Sequence, residues 1–188
     1  MKVYQCAISG IEFFSDAKTI HEDVEGMVWQ EAKEATEGGV SVDVGGGNAF
    51  GGAGADEDVD DSEETKLDTF WQFPEIENEI EFSSFRKFKK EYFMFYVQGM
   101  RRMAKEGKLA EEDKAEIRDN MKLALAWIEE NFESLQFYSI GTYLDDYEAY
   151  PDEDGDASTF GANCAFLLHN EHGARFYYIK SAFTVTKV

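Results

Sequence analysis

Residues 83 to 132 are the only long stretch of this 188-residue chain with the rhythm of a helix. In the first half, apolar side chains fall at Phe85, Phe88, Tyr92, Phe95 or Tyr96, Met100 and Met103. In the second half they fall at Ile117, Met121, Ala124, Ile128 and Phe132. Both series advance by three or four residues, which keeps each on one helix face. Gly107 lies between them, where the first helix needs a terminal residue that tolerates positive φ. The spacing predicts an antiparallel helical hairpin over 83–132. A first helix of about 23 residues would run roughly 35 Å. That is long for a small β-core, so the tip is expected to project. The unbroken YFMFYV run at 92–97 widens the apolar face. It reads either as burial against a sheet or, in part, as docking surface.

Everything outside the hairpin reads as short strands and loops. Residues 2–8 and 12–16 are strand-like around a Ser9-Gly10 turn, 17–23 suggest a helical turn, and 26–29 a further strand. From 38 to 66 the chain is glycine-rich and then almost continuously acidic, which predicts a flexible loop. Strand character returns at 67–73 until Pro74 breaks it. Residues 75–82 then alternate Ile76, Ile80 and Phe82 with acids, as in a strand with one wet face. After the hairpin come a strand at 134–140 and a second acidic loop at 145–156. The close is a β-hairpin turning at 170–173, followed by a last edge strand at 183–188. The fold class is mainly β with a helical hairpin (α+β), and 188 residues read as one domain.

Charge divides the chain in two. The formal net charge is −21. Between Arg86 and Lys122, however, eleven basic residues stand against seven acids, so this segment carries +4 and the rest −25. So acidic a surround disfavours binding to nucleic acid or anionic membranes, and points instead to protein partners. The basic helix face Arg86, Lys90, Arg101, Arg102 and Lys105 is the candidate surface for an acidic partner. No apolar run approaches the length of a membrane span and no signal-peptide pattern opens the sequence, so a soluble, cytoplasmic monomer is expected.

Motifs for chemistry are sparse. Asp56, Asp58 and Asp60 alternate like the start of a calcium loop. Asp61 then occupies the place of the turn glycine, and Leu67 that of the bidentate glutamate. Either a solvated excursion or a weak calcium site fits Asp56, Asp58, Asp60 and Asp61. Gly45-Gly46-Gly47 lacks the lysine of a phosphate-binding loop. Two cysteines cannot build a four-cysteine zinc site, and the three histidines show no ligand spacing. Cys6 and Cys164 sit in apolar strands with no neighbouring base to favour a thiolate, so buried thiols are expected rather than a disulfide or a nucleophile. Glu12, at the head of the second strand, reads by itself as a solvated edge acid.

Several stretches in order resemble the translationally controlled tumour protein family over nearly the whole length. They are Val3-Tyr4, Glu12-x-Phe14-Ser15-Asp16, Gly46-Gly47-Asn48-Ala49, and the aromatic-basic run from Phe82 to Met94 with Lys89-Lys90-Glu91-Tyr92. Asn131-Phe132, Gln136-Phe137-Tyr138, Ile140-Gly141, and Leu167-Leu168 through Phe176-Tyr177-Tyr178-Ile179-Lys180 continue the series. The chain departs from the pattern at Phe50 and Gly51, where the family has serine and glutamate. It departs again at the extra Ser139, at Thr142, and in the longer stretch 145–161.

The resemblance implies a β-tent of short coiled sheets with a projecting helix pair and a mobile acidic loop. This fold is shared with a zinc-binding Rab exchange factor whose zinc cysteines are missing here. It implies a cytosolic, non-enzymatic regulator of growth. The associated partners are a small GTPase, tubulin, translation elongation factor and anti-apoptotic proteins, with weak calcium binding and no other cofactor. It assigns Glu12 to the GTPase contact. The alternatives are a calcium buffer acting through the acidic loops and, since methionine sulfoxide reductases share a related fold, a cysteine-dependent enzyme.

Overall fold

The computed structural model describes residues 1–7, 10–36, 64–77, 79–138 and 164–188. A central antiparallel sheet takes the order β3-β9-β8-β7-β6. Its strands are Met27–Ala32 (β3), Gly173–Ile179 (β9), Ala165–Asn170 (β8), Leu135–Tyr138 (β7) and Glu79–Ile80 (β6). A second sheet joins Phe183–Lys187 (β10), Lys2–Cys6 (β1) and Glu12–Ser15 (β2), and a small ribbon pairs Glu34–Thr36 (β4) with Thr65–Leu67 (β5).

The central sheet is buried on both faces, which explains the near-continuous apolar run FYYI in β9. Side chains alternate across a strand, and the alternation sorts the core in two. Met27, Trp29, Phe166, Tyr177 and Ile179 face the helices, together with Phe88, Tyr92, Tyr96, Met121 and Ile128. Val28, Ala165, Leu167, Phe176 and Tyr178 face the other way, onto Cys6, Phe13 and Phe14 of β1 and β2 and Phe70. Phe14 is stacked between Tyr4 and Tyr178, with ring centroids 4.4 and 4.3 Å away.

The helical hairpin forms as the spacing predicts. Its first limb comprises Phe85–Phe88 (α2), a π turn at Lys89–Phe93, and Met94–Lys105 (α3); its second is Glu111–Asn131 (α4). The Ser84 side chain caps α2 by accepting from the Lys87 N–H. Gly107, at φ +73°, closes the first limb. The π turn interrupts the helix that periodicity predicts as regular. The Met94 N–H reaches back to the Lys89 carbonyl, five residues away. That slack lets Phe88, Tyr92, Phe93 and Tyr96 all bury in one apolar cluster.

Three expected elements differ. The strand at 67–73 stops at Leu67 and becomes the helix Asp68–Gln72 (α1). Asp68 accepts from the Lys33 N–H at 3.1 Å and from Lys18 Nζ at 2.6 Å, so the chain turns to satisfy a carboxylate rather than extending. The strand at 75–82 shrinks to β6, because Pro74 opens a 3-10 turn that buries Ile76. Residues 17–23 form no helix. Lys18 and the buried Gln30 hold them instead, with Gln30 Nε2 donating to the Ser15 and Lys18 carbonyls at 2.8 and 3.0 Å. Of the loop expected at 38–66, Thr65 and Lys66 belong to β5, and 38–63 lie outside the described residues. Cys6 and Cys164 are buried thiols, as expected.

Gly26 fixes how α4 lies on the sheet. Its φ is +75°, and a Cβ there would lie 2.7 Å from the Ala124 nitrogen and the Asn120 carbonyl oxygen. Gly26→Ala is therefore expected to cost on the order of 2–4 kcal/mol in denaturant unfolding. Gly107→Ala shares the positive φ but meets nothing within 4 Å, so it should cost only about 1 kcal/mol. Equal losses would refute the close-approach account.

Beside that turn, Trp29 donates its indole N–H to Asp23 at 2.6 Å, stacks on His21 at 3.9 Å, and lies 4.1 Å from the Arg175 guanidinium. The indole hydrogen bond, followed by a bond within Asp23's own backbone and by the charges of His21 and Arg175, holds the Asp23 carboxyl below the ordinary range. A depressed folded-state value adds stability above the unfolded carboxylate pKa and loses it as pH falls through the folded one. Asp23→Asn should accordingly flatten the acid side of the stability profile, followed by Trp fluorescence, and leave the alkaline side unchanged.

Candidate functional site

Glu12 opens β2, exposed and opposite Gln5, whose Nε2 donates to its Oε1 at 3.4 Å. A β-bulge between Tyr4 and Gln5 shifts the register there. Phe13 and Phe14 are both buried while Glu12 faces a concavity of about 480 Å³. Its walls include Ile11, Gln72, Phe73, Pro74 and a second carboxylate, Glu75. The site is acidic and half apolar, suited to a cationic side chain whose stem runs along the proline and phenylalanine. Glu75 and Gln72 come from α1 and the turn after it, more than fifty residues away in sequence. No local pattern around Glu12 points to them.

The basic face is distributed along the first limb. Arg86 is exposed in α2, Lys90 in the π turn, and Arg101 and Lys105 in α3; the side chain of Arg102 lies outside the described ones. Lys105 ends α3, where a cation complements the negative end of the helix. The π turn adds a residue between the two pairs, so Arg86 and Lys90 are rotated away from the azimuth that regular helical spacing would give them relative to Arg101 and Lys105.

What the predicted face misses is α4. Arg101 shares a groove of about 590 Å³ with Lys114, Arg118 and Lys122, between α3 and α4. The signal was in the sequence: three cations at intervals of four residues put one charged stripe along one helix face. Lys114 pairs with Glu111. Among the described residues, Arg101, Arg118 and Lys122 make no ion pair.

Asp56, Asp58, Asp60 and Asp61 lie outside the described residues. Among the described residues no three His, Cys, Asp or Glu side chains gather as a metal site would require. No described helix is long and apolar enough to cross a membrane. Cys164 is a poor nucleophile. Burial pushes its thiol well above the ordinary range, only partly offset by a hydrogen bond with Tyr92.

The family model for translationally controlled tumour protein matches residues 1–148, which includes the Glu12 concavity and both limbs of the hairpin. The chain belongs to that family. Among solved structures, it superposes on the translationally controlled tumor-associated protein p23fyp of Schizosaccharomyces pombe with a TM-score of 0.61 at 20% identity, covering 100% of both chains. Against the translationally controlled tumor protein of Caenorhabditis elegans the TM-score is 0.56 at 16% identity, covering 100% of this chain and 99% of the other. At these identities the likeness establishes the fold: mostly antiparallel sheets carrying a helical hairpin. Translationally controlled tumour proteins are generally not enzymes.

Proposed function

We propose that this chain is a non-enzymatic regulatory binding protein of the translationally controlled tumour protein type that engages acidic protein surfaces through its hairpin. The observation that carries this reading is an exposed, unpaired cluster of cations, Arg101, Arg118 and Lys122, on a chain whose net charge is −21. A surface of the opposite sign to the rest of the molecule steers a partner into one orientation. By family resemblance the acidic tails of tubulin and an elongation factor are the partners to test.

The Glu12 concavity is assigned, also by resemblance, to a small GTPase of the growth-signalling kind. A carboxylate there would orient a lysine or a switch-loop amide. Exchange would then arise from preferring the nucleotide-free state, with no covalent step.

Exposed ion pairs are individually weak and screened by salt, so the expected effects are graded. Arg101→Glu with Lys105→Glu should weaken tubulin co-sedimentation by roughly tenfold at low salt, and by much less near physiological ionic strength. Unchanged co-sedimentation at low salt, both for this variant and for one that adds Arg118→Glu and Lys122→Glu, would exclude the hairpin as the acidic-partner surface. Glu12→Val should slow chain-stimulated nucleotide release from the GTPase without altering unfolding, and release that proceeds at the unsubstituted rate would remove Glu12 from the contact.

A further inference from the structure

The groove between α3 and α4 has a composition that simple charge attraction does not require. Its floor is apolar, with Val97, Met100, Ile117, Met121 and Leu125 among its residues, and its walls come from α3 and α4, closed by Phe93 of the π turn and Leu109 of the connection between the helices. The α4 side is a stripe at positions i, i+3, i+4, i+7, i+8 and i+11, from Lys114 through Ile117, Arg118, Met121 and Lys122 to Leu125. α3 and α4 make few close backbone approaches to one another. The hairpin is therefore filled with side chains at its base and left open along this face. Every charged residue lining the groove is basic.

We propose that this groove is the docking site for an acidic amphipathic helix of a partner protein. Its apolar side chains enter between α3 and α4, and its carboxylates face Arg101, Lys114, Arg118 and Lys122. The proposal rests on the reading that the basic hairpin faces acidic partners, and adds that apolar burial supplies the specificity. Charge complementarity selects the occupant. A groove-to-groove contact with a second copy would set two basic rims against each other, which is unfavourable. An anionic lipid surface would meet an apolar patch recessed between helices, on a molecule whose remaining surface is strongly acidic. An amphipathic helix matches because its i, i+3, i+4, i+7 stripe fits an apolar channel while its flanks carry charge. From Lys114 to Leu125 the channel runs roughly 16 Å at the helical rise, which selects a segment of about three turns.

The probe is a fluorescein-labelled peptide of about 16 residues with leucines on one helical stripe and glutamates elsewhere, titrated with the full chain by anisotropy. A scrambled peptide of the same composition keeps the charge and destroys the stripe. The expected result is binding at least about tenfold tighter than the scrambled peptide. Ile117→Glu on the half-buried floor should remove that preference. Arg118→Glu, at an exposed rim position, should weaken the striped peptide while leaving the fold, followed by circular dichroism, intact. Equal binding of both peptides, with Arg118→Glu weakening both, would overturn the groove proposal and leave the basic-surface reading standing. No binding of either peptide at low salt would overturn both. A dimer seen by light scattering and dissolved by Arg118→Glu would assign the groove to a second copy and overturn the proposal.

Discussion

The placement of Phe88 is the constraint on which the rest of this structure depends. Its side chain is fully buried, and it is the first residue of the hairpin to be so. Its ring stacks on Tyr92 at 5.7 Å and meets Phe137 of β7 at 5.1 Å and Phe166 of β8 at 6.2 Å. Phe82, Phe85 and Phe132 complete the cluster from before, within and after the hairpin. One ring thus joins the first limb, and the residue that follows the second, to β7 and β8 of the central sheet. Aromatic pairs contribute roughly 0.5–1.5 kcal/mol each beyond the area they bury, and the cluster is large enough to anchor a lever of two helices at one end. With the base held there, the outer turns are relieved of most of the burden of stability. They can carry exposed cations and an incompletely filled groove.

The same anchoring explains the division of charge. Burying both faces of the central sheet requires apolar residues at successive positions of β8 and β9, leaving little room there for ionisable groups. Charge is therefore displaced to edges, loops and the outer hairpin. A cation close to the aromatic cluster would lose hydration and need a buried partner, whereas along α4 it stays in water and costs little. Arg175 is the instructive exception within the sheet. It lies over Trp29, where the ring face and neighbouring Asp23 compensate for partial burial.

What the sequence made legible follows from which interactions are local. The hairpin, the closing strands and the Gly107 break all depend on spacing within one element, and each forms as the spacing predicts. The failures are at 67–73 and 75–82, where a distant partner decides the conformation. Asp68 turns into a helix to meet Lys18 and Lys33, and Ile76 is buried from a 3-10 turn rather than from a strand. The π turn was hidden for a related reason, since a wide aromatic run accommodates either register and only packing against β7 and β8 chooses. The candidate sites divide in the same way. Glu12 was found as a single residue, and its wall Glu75 comes from an element that only the fold brings near, whereas Arg101 was found within a face on the first limb, and the stripe with Arg118 and Lys122 opposite it was legible in the spacing of α4.

Two charged surfaces of opposite sign on one small molecule also constrain how its functions can be coupled. The Glu12 concavity is built from β1, β2 and the turn after α1, on the side of the central sheet that packs Phe13, Phe14 and Phe70. The basic groove is built from α3 and α4, on the side that packs Phe88, Tyr96 and Ile128. Between them lies a sheet filled on both faces, with Phe166 directed one way and Leu167 the other along β8. Close-packed layers resist small, continuous deformation. Coupling between the two surfaces would therefore need a second discrete arrangement of the sheet or of the hairpin on it. On the proposed reading, a cationic contact at Glu12 and an acidic one at the hairpin would lie on opposite sides of that sheet and would not compete for the same surface.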